Sequence, residues 1–183
     1  MWGHFILSII IKPNYESESI GITQNSIVSD IIQADCLIRD SLEEFDGILI
    51  EEYIEGNEIA ITIFGNENDL FFEEVKLCFP EDKCFKYKAY TLEIKQNIEI
   101  EIKKSNYLTG NAKECIKQFY YSLAPGKLLR IDGRIKNSEF YMIEVNANPG
   151  LYPKSVVPRT FNIYGYSYSA MLKRLFIPTI EKF

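Results

Sequence analysis

The stretch Leu128–Gly150, LLRIDGRIKNSEFYMIEVNANPG, decides how this chain is read. Two runs rich in β-branched and aromatic residues flank Asn137, Ser138 and Glu139, which predicts a β-hairpin with those three residues as its loop. That loop length places Asp132 opposite Glu144 and Arg130 opposite Asn146. Side chains in a strand alternate between faces and directly opposed residues share one, so Arg130, Asp132, Glu144 and Asn146 are expected on a common face. Leu129, Ile131, Ile135, Ile143 and Val145 are expected on the other, as core.

The polar face is defined by its ligand types. Two carboxylates and an amide oxygen, with no His or Cys beside them, suit a hard cation such as Mg²⁺, which takes a few protein oxygens and completes its octahedron with water and substrate phosphates. An arginine on that face is no ligand, but it can stabilise negative charge on a transferring phosphoryl group or an oxyanion. Phosphate chemistry is one reading. The other is an exposed hairpin whose outer face is simply polar, and the spacing alone leaves both open.

The run RID, followed by IEVNANPGL and then KSVVP, resembles the C-terminal metal-binding signature of D-alanine–D-alanine ligases, members of the ATP-grasp superfamily. IIIKPNYESESIGI at Ile9–Ile22, ILIEEYIEGNEIAITIFG at Ile48–Gly65 and GYSYSAMLKRLF near the C-terminal end resemble the same family in the same order, so the resemblance covers nearly the whole chain. It implies an α+β ATP-grasp fold of two α+β subdomains with mostly antiparallel sheets. The expected division of the single ATP-grasp domain, 1–183, is a nucleotide-covering subdomain over about 1–90, with the hinge strand, and a metal-binding and substrate subdomain over about 91–183.

Composition agrees with one soluble domain of this kind. At 183 residues, 46% of them hydrophobic, the chain can bury a substantial core. A net charge of −6 with no visible basic patch argues against a nucleic-acid partner, and nothing favours an anionic membrane. Cys36, Cys78, Cys84 and Cys115 form no C-x-x-C pair and His4 is the only histidine, so the sequence offers no zinc site. Four buried thiols in a reducing cytoplasm are the expectation. The apolar run Phe5–Ile11 lacks a basic n-region and a cleavage site, and it is far short of the ~20 residues that span a membrane.

Periodicity predicts alternating elements. A strand at Ile6–Lys12 is followed by a polar loop and by an amphipathic helix over Ser29–Phe45. Ile48–Tyr53, Glu58–Phe64 and Leu70–Leu77 are expected as strands of one antiparallel sheet. Thr109–Leu123 is a second helix stopped by Pro125 and Gly126, and Ser167–Phe176 is a third.

Lys12 stands where a strand enters a loop, a place suited to polyphosphate oxygens; a solvated lysine is the alternative. The resemblance implies that Lys12 and Ser19 lie on the phosphate side of ATP. It implies that Glu51, Glu52, Tyr53 and Ile54 form an adenine hinge and that Glu58 accepts hydrogen bonds from the ribose; without it these glutamates are an acidic edge. Gly150 and Ser155 inherit oxyanion and carboxylate-binding roles beside Arg130, with a turn glycine and a helix-capping serine as the structural alternatives.

The implied reaction is ATP-dependent joining of a carboxylate to an amine through an acyl phosphate. Mg²⁺, or Mn²⁺, would sit on Asp132, Glu144 and Asn146, small amino acids such as D-alanine would be substrates, and the product would serve the cell wall as a peptidoglycan precursor. A truncated, catalytically impaired nucleotide-binding remnant, or one half of a split ligase, is the alternative.

Three departures from the family pattern stand out. Glu16, Ser17, Glu18 and Ser19 occupy the place of a Glu-Gly-Ser-Ser loop. In FKYKAY, Phe85–Tyr90, Tyr90 replaces a nucleotide-contacting lysine, with Lys86 or Lys88 as substitutes. The family also carries an N-terminal domain before the Lys12 strand, so the chain reads as a C-terminal portion. Its apolar docking surface predicts self-association as a homodimer, or a partner chain supplying that domain.

Overall fold

The computed structural model describes residues 8–80 and 91–180. The chain divides into two compact units, Met1–Glu55 with Phe79–Ile100, and Gly56–Cys78 with Glu101–Phe183.

The first unit holds β1 (Ile9–Pro13), β2 (Ile27–Val28), α1 (Ile31–Glu44), β3 (Ile48–Glu52) and α2 (Leu92–Asn97). Its strands form an antiparallel sheet in the order β2-β1-β3. Asp30 starts α1 by accepting hydrogen bonds from the Ile32 and Gln33 amides at 2.9 and 3.0 Å, which satisfies donors the first helical turn leaves open. The apolar stripe of α1 then packs Ala34, Leu37 and Ile38 against Ile11 and Val28.

The second unit holds β4 (Asn57–Asn66), β5 (Asp69–Cys78), β6 (Glu101–Lys104), α3 (Gly110–Leu123), β7 (Leu129–Lys136), β8 (Glu139–Asn146), α4 (Val156–Ile163) and α5 (Tyr168–Ile180). Its five strands are antiparallel throughout, in the order β6-β5-β4-β7-β8. The period-two alternation of β4 and β7 sends Ile59, Ile61, Ile63, Leu129, Ile131 and Ile135 to one face, where Ile116 and Tyr120 of α3 cover them. Phe71, on the opposite face, packs with Val157 and Phe161 of α4 and Met171 and Leu175 of α5, and the Phe71 and Phe161 rings stack at 3.9 Å.

Several expectations need correction. β3 does not join β4 and β5: it pairs with β1 in the first unit, because strand composition predicts a strand without naming its partner. The single boundary near residue 90 fails for the same reason, since β4 pairs with β7 over seven positions from Asn57↔Ile135 to Ile63↔Leu129, which ties the β4–β5 hairpin to the later residues. Cys36 and Cys115 are exposed on helices and Cys78 is half-buried, against the expectation of buried thiols; Cys84 lies outside the described residues. Short β2, β6, α2 and α4 have no counterpart in the sequence reading, being too brief to show a period. Among the described residues no helix is long and apolar enough to cross a membrane.

Candidate functional site

The hairpin β7–β8 reaches the expected register by an unexpected route. Lys136 pairs with Glu139, so the loop is the two-residue turn Asn137–Ser138, both at positive φ (51° and 66°), as a type I′ turn requires. A two-residue turn alone would shift every pair by one and turn Glu144 away from Asp132. A β-bulge at Ile143 restores the register: Gly133 pairs with Met142, whereas Asp132 pairs with Glu144 and Arg130 with Asn146. The bulge also explains why Ile143, expected in the core, is 46% exposed.

Gly133 lies beside the bulge. A Cβ there would lie 2.3 Å from Cε2 of Phe140 and 2.5 Å from the Tyr141 carbonyl oxygen, so the bare glycine admits the Phe140 ring across the strand.

Arg130, Asp132, Glu144 and Asn146 therefore share a face, together with Ala60 and Thr62 of β4, which lie opposite Asp132 and Arg130. Arg130 and Asp132 are closer partners than the sequence suggested. Nε of Arg130 donates to both Asp132 oxygens at 2.9 and 3.0 Å and Nη2 donates at 2.7 Å, a side-on pair with side chains 18% and 26% exposed. Asn146 turns its Oδ1 toward the Asn148 amide, which donates at 3.0 Å and orders the strand's exit. Glu144 is exposed.

This donor set fits a hard divalent cation. A carboxylate has about four acceptor sites, so the Arg130 contacts do not exhaust Asp132, and Glu144 and the Asn146 amide oxygen are hard donors on the same face. Among the described residues no three His, Cys, Asp or Glu side chains come together as a cation site.

Beyond β8, Gly150 and Ser155 meet: a Cβ on Gly150 would lie 3.2 Å from the Ser155 hydroxyl oxygen. Ser155 occupies the N-cap position of α4, as the helix-capping alternative expects, without a side-chain capping hydrogen bond.

In the first unit, the Lys12 ammonium is paired with the Glu51 carboxylate on the same face of the β1–β3 sheet. Tyr53 is buried beside Ile27, and its amide donates to the Ser8 carbonyl at 2.8 Å, so that backbone group is already engaged. Glu18 and Ser19 both adopt positive φ, 58° and 68°, followed by Gly21 at 72°; two non-glycine residues thus carry a left-handed turn. Tyr90, Lys86 and Lys88 lie outside the described residues.

A cavity of about 1000 Å³ in the second unit contains none of these residues; Glu73, Glu74, Lys113, Lys117 and Tyr164 are among those lining it. Burial pushes the Glu73 carboxyl up, opposed by the Tyr164 hydroxyl and by Lys104 and Lys113. Tyr164 is pushed up to about 12, by burial first and then by the Glu73 charge. The native state thus binds the Glu73 proton more tightly than the unfolded chain does. The resulting stability is fully present below the ordinary glutamate range and is lost as pH rises through the native value. Glu73→Gln is therefore expected to raise thermal stability at pH 7, by less than about 1 kcal/mol because the group is part-exposed, and to give no gain at pH 4; paired melts at the two pH values check it.

Arg134 is the residue that sequence reasoning missed. It is two positions beyond Asp132 on the same strand and face, and its Nη2 donates to Glu58 at 2.7 Å. The period-two rule that picked Arg130 and Asp132 reaches it by one further step.

The family model described as D-ala D-ala ligase C-terminus matches residues 2–177. The chain belongs to that family. As a D-ala D-ala ligase C-terminus it is 25% identical over 177 residues to the D-alanine–D-alanine ligase of Halalkalibacterium halodurans, covering 95% of this chain and 57% of that protein. It is 28% identical to the enzyme of the same name from Syntrophobacter fumaroxidans, covering 96% and 56%. The chain thus spans somewhat over half the length of these relatives.

Among solved structures, the D-alanine–D-alanine ligase of Bacillus anthracis complexed with ATP superposes with a TM-score of 0.68 at 20% identity, covering 97% of this chain and 54% of that one. The VanG D-Ala:D-Ser ligase of Enterococcus faecalis superposes with a TM-score of 0.63 at 26% identity, covering 91% and 48%. The fold of this D-ala D-ala ligase C-terminus is that of the ATP-grasp ligases, α+β with antiparallel sheets.

Proposed function

We propose that the chain is the nucleotide- and metal-binding part of an ATP-dependent carboxylate–amine ligase that joins two small amino acids, D-alanine first among them, for peptidoglycan synthesis in the cytoplasm. The observation that carries the proposal is the register placing Arg130, Asp132, Glu144 and Asn146 on one face of the β7–β8 hairpin. Family membership and the ATP complex of the Bacillus anthracis relative support it.

In this reading Asp132, Glu144 and Asn146 would hold Mg²⁺, which would supply charge neutralisation for the phosphates. The substrate carboxylate attacks the γ-phosphorus, the β–γ bond breaks and ADP leaves, giving an acyl phosphate; the amine of the second substrate then attacks the acyl carbon, loses a proton and expels inorganic phosphate as the amide forms. Arg130 stabilises negative charge at the reacting carbonyl, and the Gly150 amide is a second donor for it. Ser155 holds the carboxylate of the second amino acid. Lys12 and Ser19 are proposed as phosphate contacts, Glu51, Glu52, Tyr53 and Ile54 as the adenine hinge and Glu58 as the ribose acceptor. Catalysis on these terms is mostly positioning and electrostatics.

Phosphate release from ATP with Mg²⁺ and D-alanine tests the reading: release that depends on D-alanine supports it, and none under any condition contradicts it. The second reading is a nucleotide-binding domain without turnover, favoured by Glu18, which brings an extra negative charge into the loop after Lys12. Calorimetric binding of Mg·ATP with no phosphate release would select it.

A further inference from the structure

We propose that Arg134 is a positioning residue that holds the Glu58 carboxylate in place for the ribose hydroxyls of the nucleotide. The inference rests on the ligase reading above and adds a residue to it. Glu58 on β4 is directly opposite Arg134 on β7, and both share the face that carries Asp132 and Arg130. Two positions along a strand correspond to ~7 Å, so this pair lies well within the reach of a nucleoside triphosphate whose phosphates are held at Asp132.

Burial is what separates this pair from a surface contact. The Arg134 side chain is 5% exposed and that of Glu58 17%, with Nη2 to Oε2 at 2.7 Å. A guanidinium is planar and always charged, and it offers its donors in a fixed fork, so it restricts the rotamers of the carboxylate it faces. A glutamate that is ordered before the ligand arrives loses less side-chain freedom when the ligand binds. The carboxylate is acceptor-only with about four acceptor sites, which matches the two hydroxyl donors of a vicinal diol. A lysine would supply the charge without the fork, and a methionine would fill the space with neither.

A purely structural ion pair would change stability alone, whereas a positioning pair changes how the protein tells one nucleotide from another. The test is calorimetric titration of the 183-residue chain and its Arg134→Met and Arg134→Lys variants with Mg·ATP and with Mg·2′,3′-dideoxy-ATP, alongside thermal melts. Wild type is expected to prefer ATP by about ten-fold or more, the worth of a hydrogen bond to a charged acceptor. Arg134→Met is expected to weaken ATP by about ten-fold while leaving the dideoxy nucleotide unchanged. Arg134→Lys should restore part of the preference, and it carries the comparison if the methionine variant does not fold. An unchanged ATP preference in the variants, or an equal loss of both nucleotides, overturns the proposal. Wild type that binds ATP with no preference also overturns it while leaving the nucleotide reading intact; wild type that binds neither nucleotide removes both.

Discussion

Asp132→Asn is expected to weaken Mg·ATP binding by at least about 100-fold, the scale on which metal sites respond even to the loss of supporting groups. The substitution keeps one oxygen and the side-chain shape, so it removes charge from the cation site with little change of volume. Its cost to the fold is separate. Arg130 loses a two-oxygen ionic partner at a part-buried position, a loss of about 1–3 kcal/mol of stability, and melts will report it. Glu144→Gln, at an exposed position of the partner strand, is expected to weaken the metal-dependent component with little change in melting. A metal site requires both substitutions to depress Mg·ATP binding together. An effect of Asp132→Asn that tracks its melting temperature, with Glu144→Gln silent, would instead mark the polar face as structural.

The second large effect concerns the hairpin itself. Gly133→Ala is expected to destabilise the protein by about 3 kcal/mol, the upper range for overpacking. A Cβ there would meet the Phe140 ring at 2.3 Å and the Tyr141 carbonyl at 2.5 Å. The ring can move only by leaving its place against the core, and the carbonyl belongs to the edge strand. Relief by loss of the bulge would shift the outer pairs by one residue and separate Glu144 from Asp132, so the same variant should lose Mg·ATP binding. Urea denaturation combined with nucleotide titration checks both. A stable Gly133→Ala protein with unchanged binding would mean that the glycine is not what sets the register.

The site face was legible in the sequence because period-two alternation survives local error. Spacing predicts a three-residue loop and no bulge, whereas the hairpin has a two-residue turn and a bulge, and the two differences cancel at Asp132↔Glu144 and Arg130↔Asn146. They fail to cancel at Ile143, where the core assignment breaks. Beside the bulge Phe140 lies across Gly133, a contact between strands that no periodicity within one strand contains. The helices α1 and α3 were legible within two residues because Asp30 and Thr109 are capping residues ahead of amphipathic runs. Sheet membership was not: β3 and β4 read alike as strands, and only pairing separates them. Arg134 obeys the same alternation, but what sets it apart is its ion pair with Glu58 of another strand, which the spacing within one strand does not contain.

The central claim is that Asp132, Glu144 and Asn146 converge on one divalent ion. Titration of Mn·ATP into the isotopically labelled protein, read as paramagnetic broadening by nuclear magnetic resonance, tests it most directly. The account predicts that the amides of Asp132 and Glu144 and the side-chain amide of Asn146 broaden first and together, and that they recover when excess Mg²⁺ displaces the manganese. Broadening that begins elsewhere, or that spares these three, would contradict it.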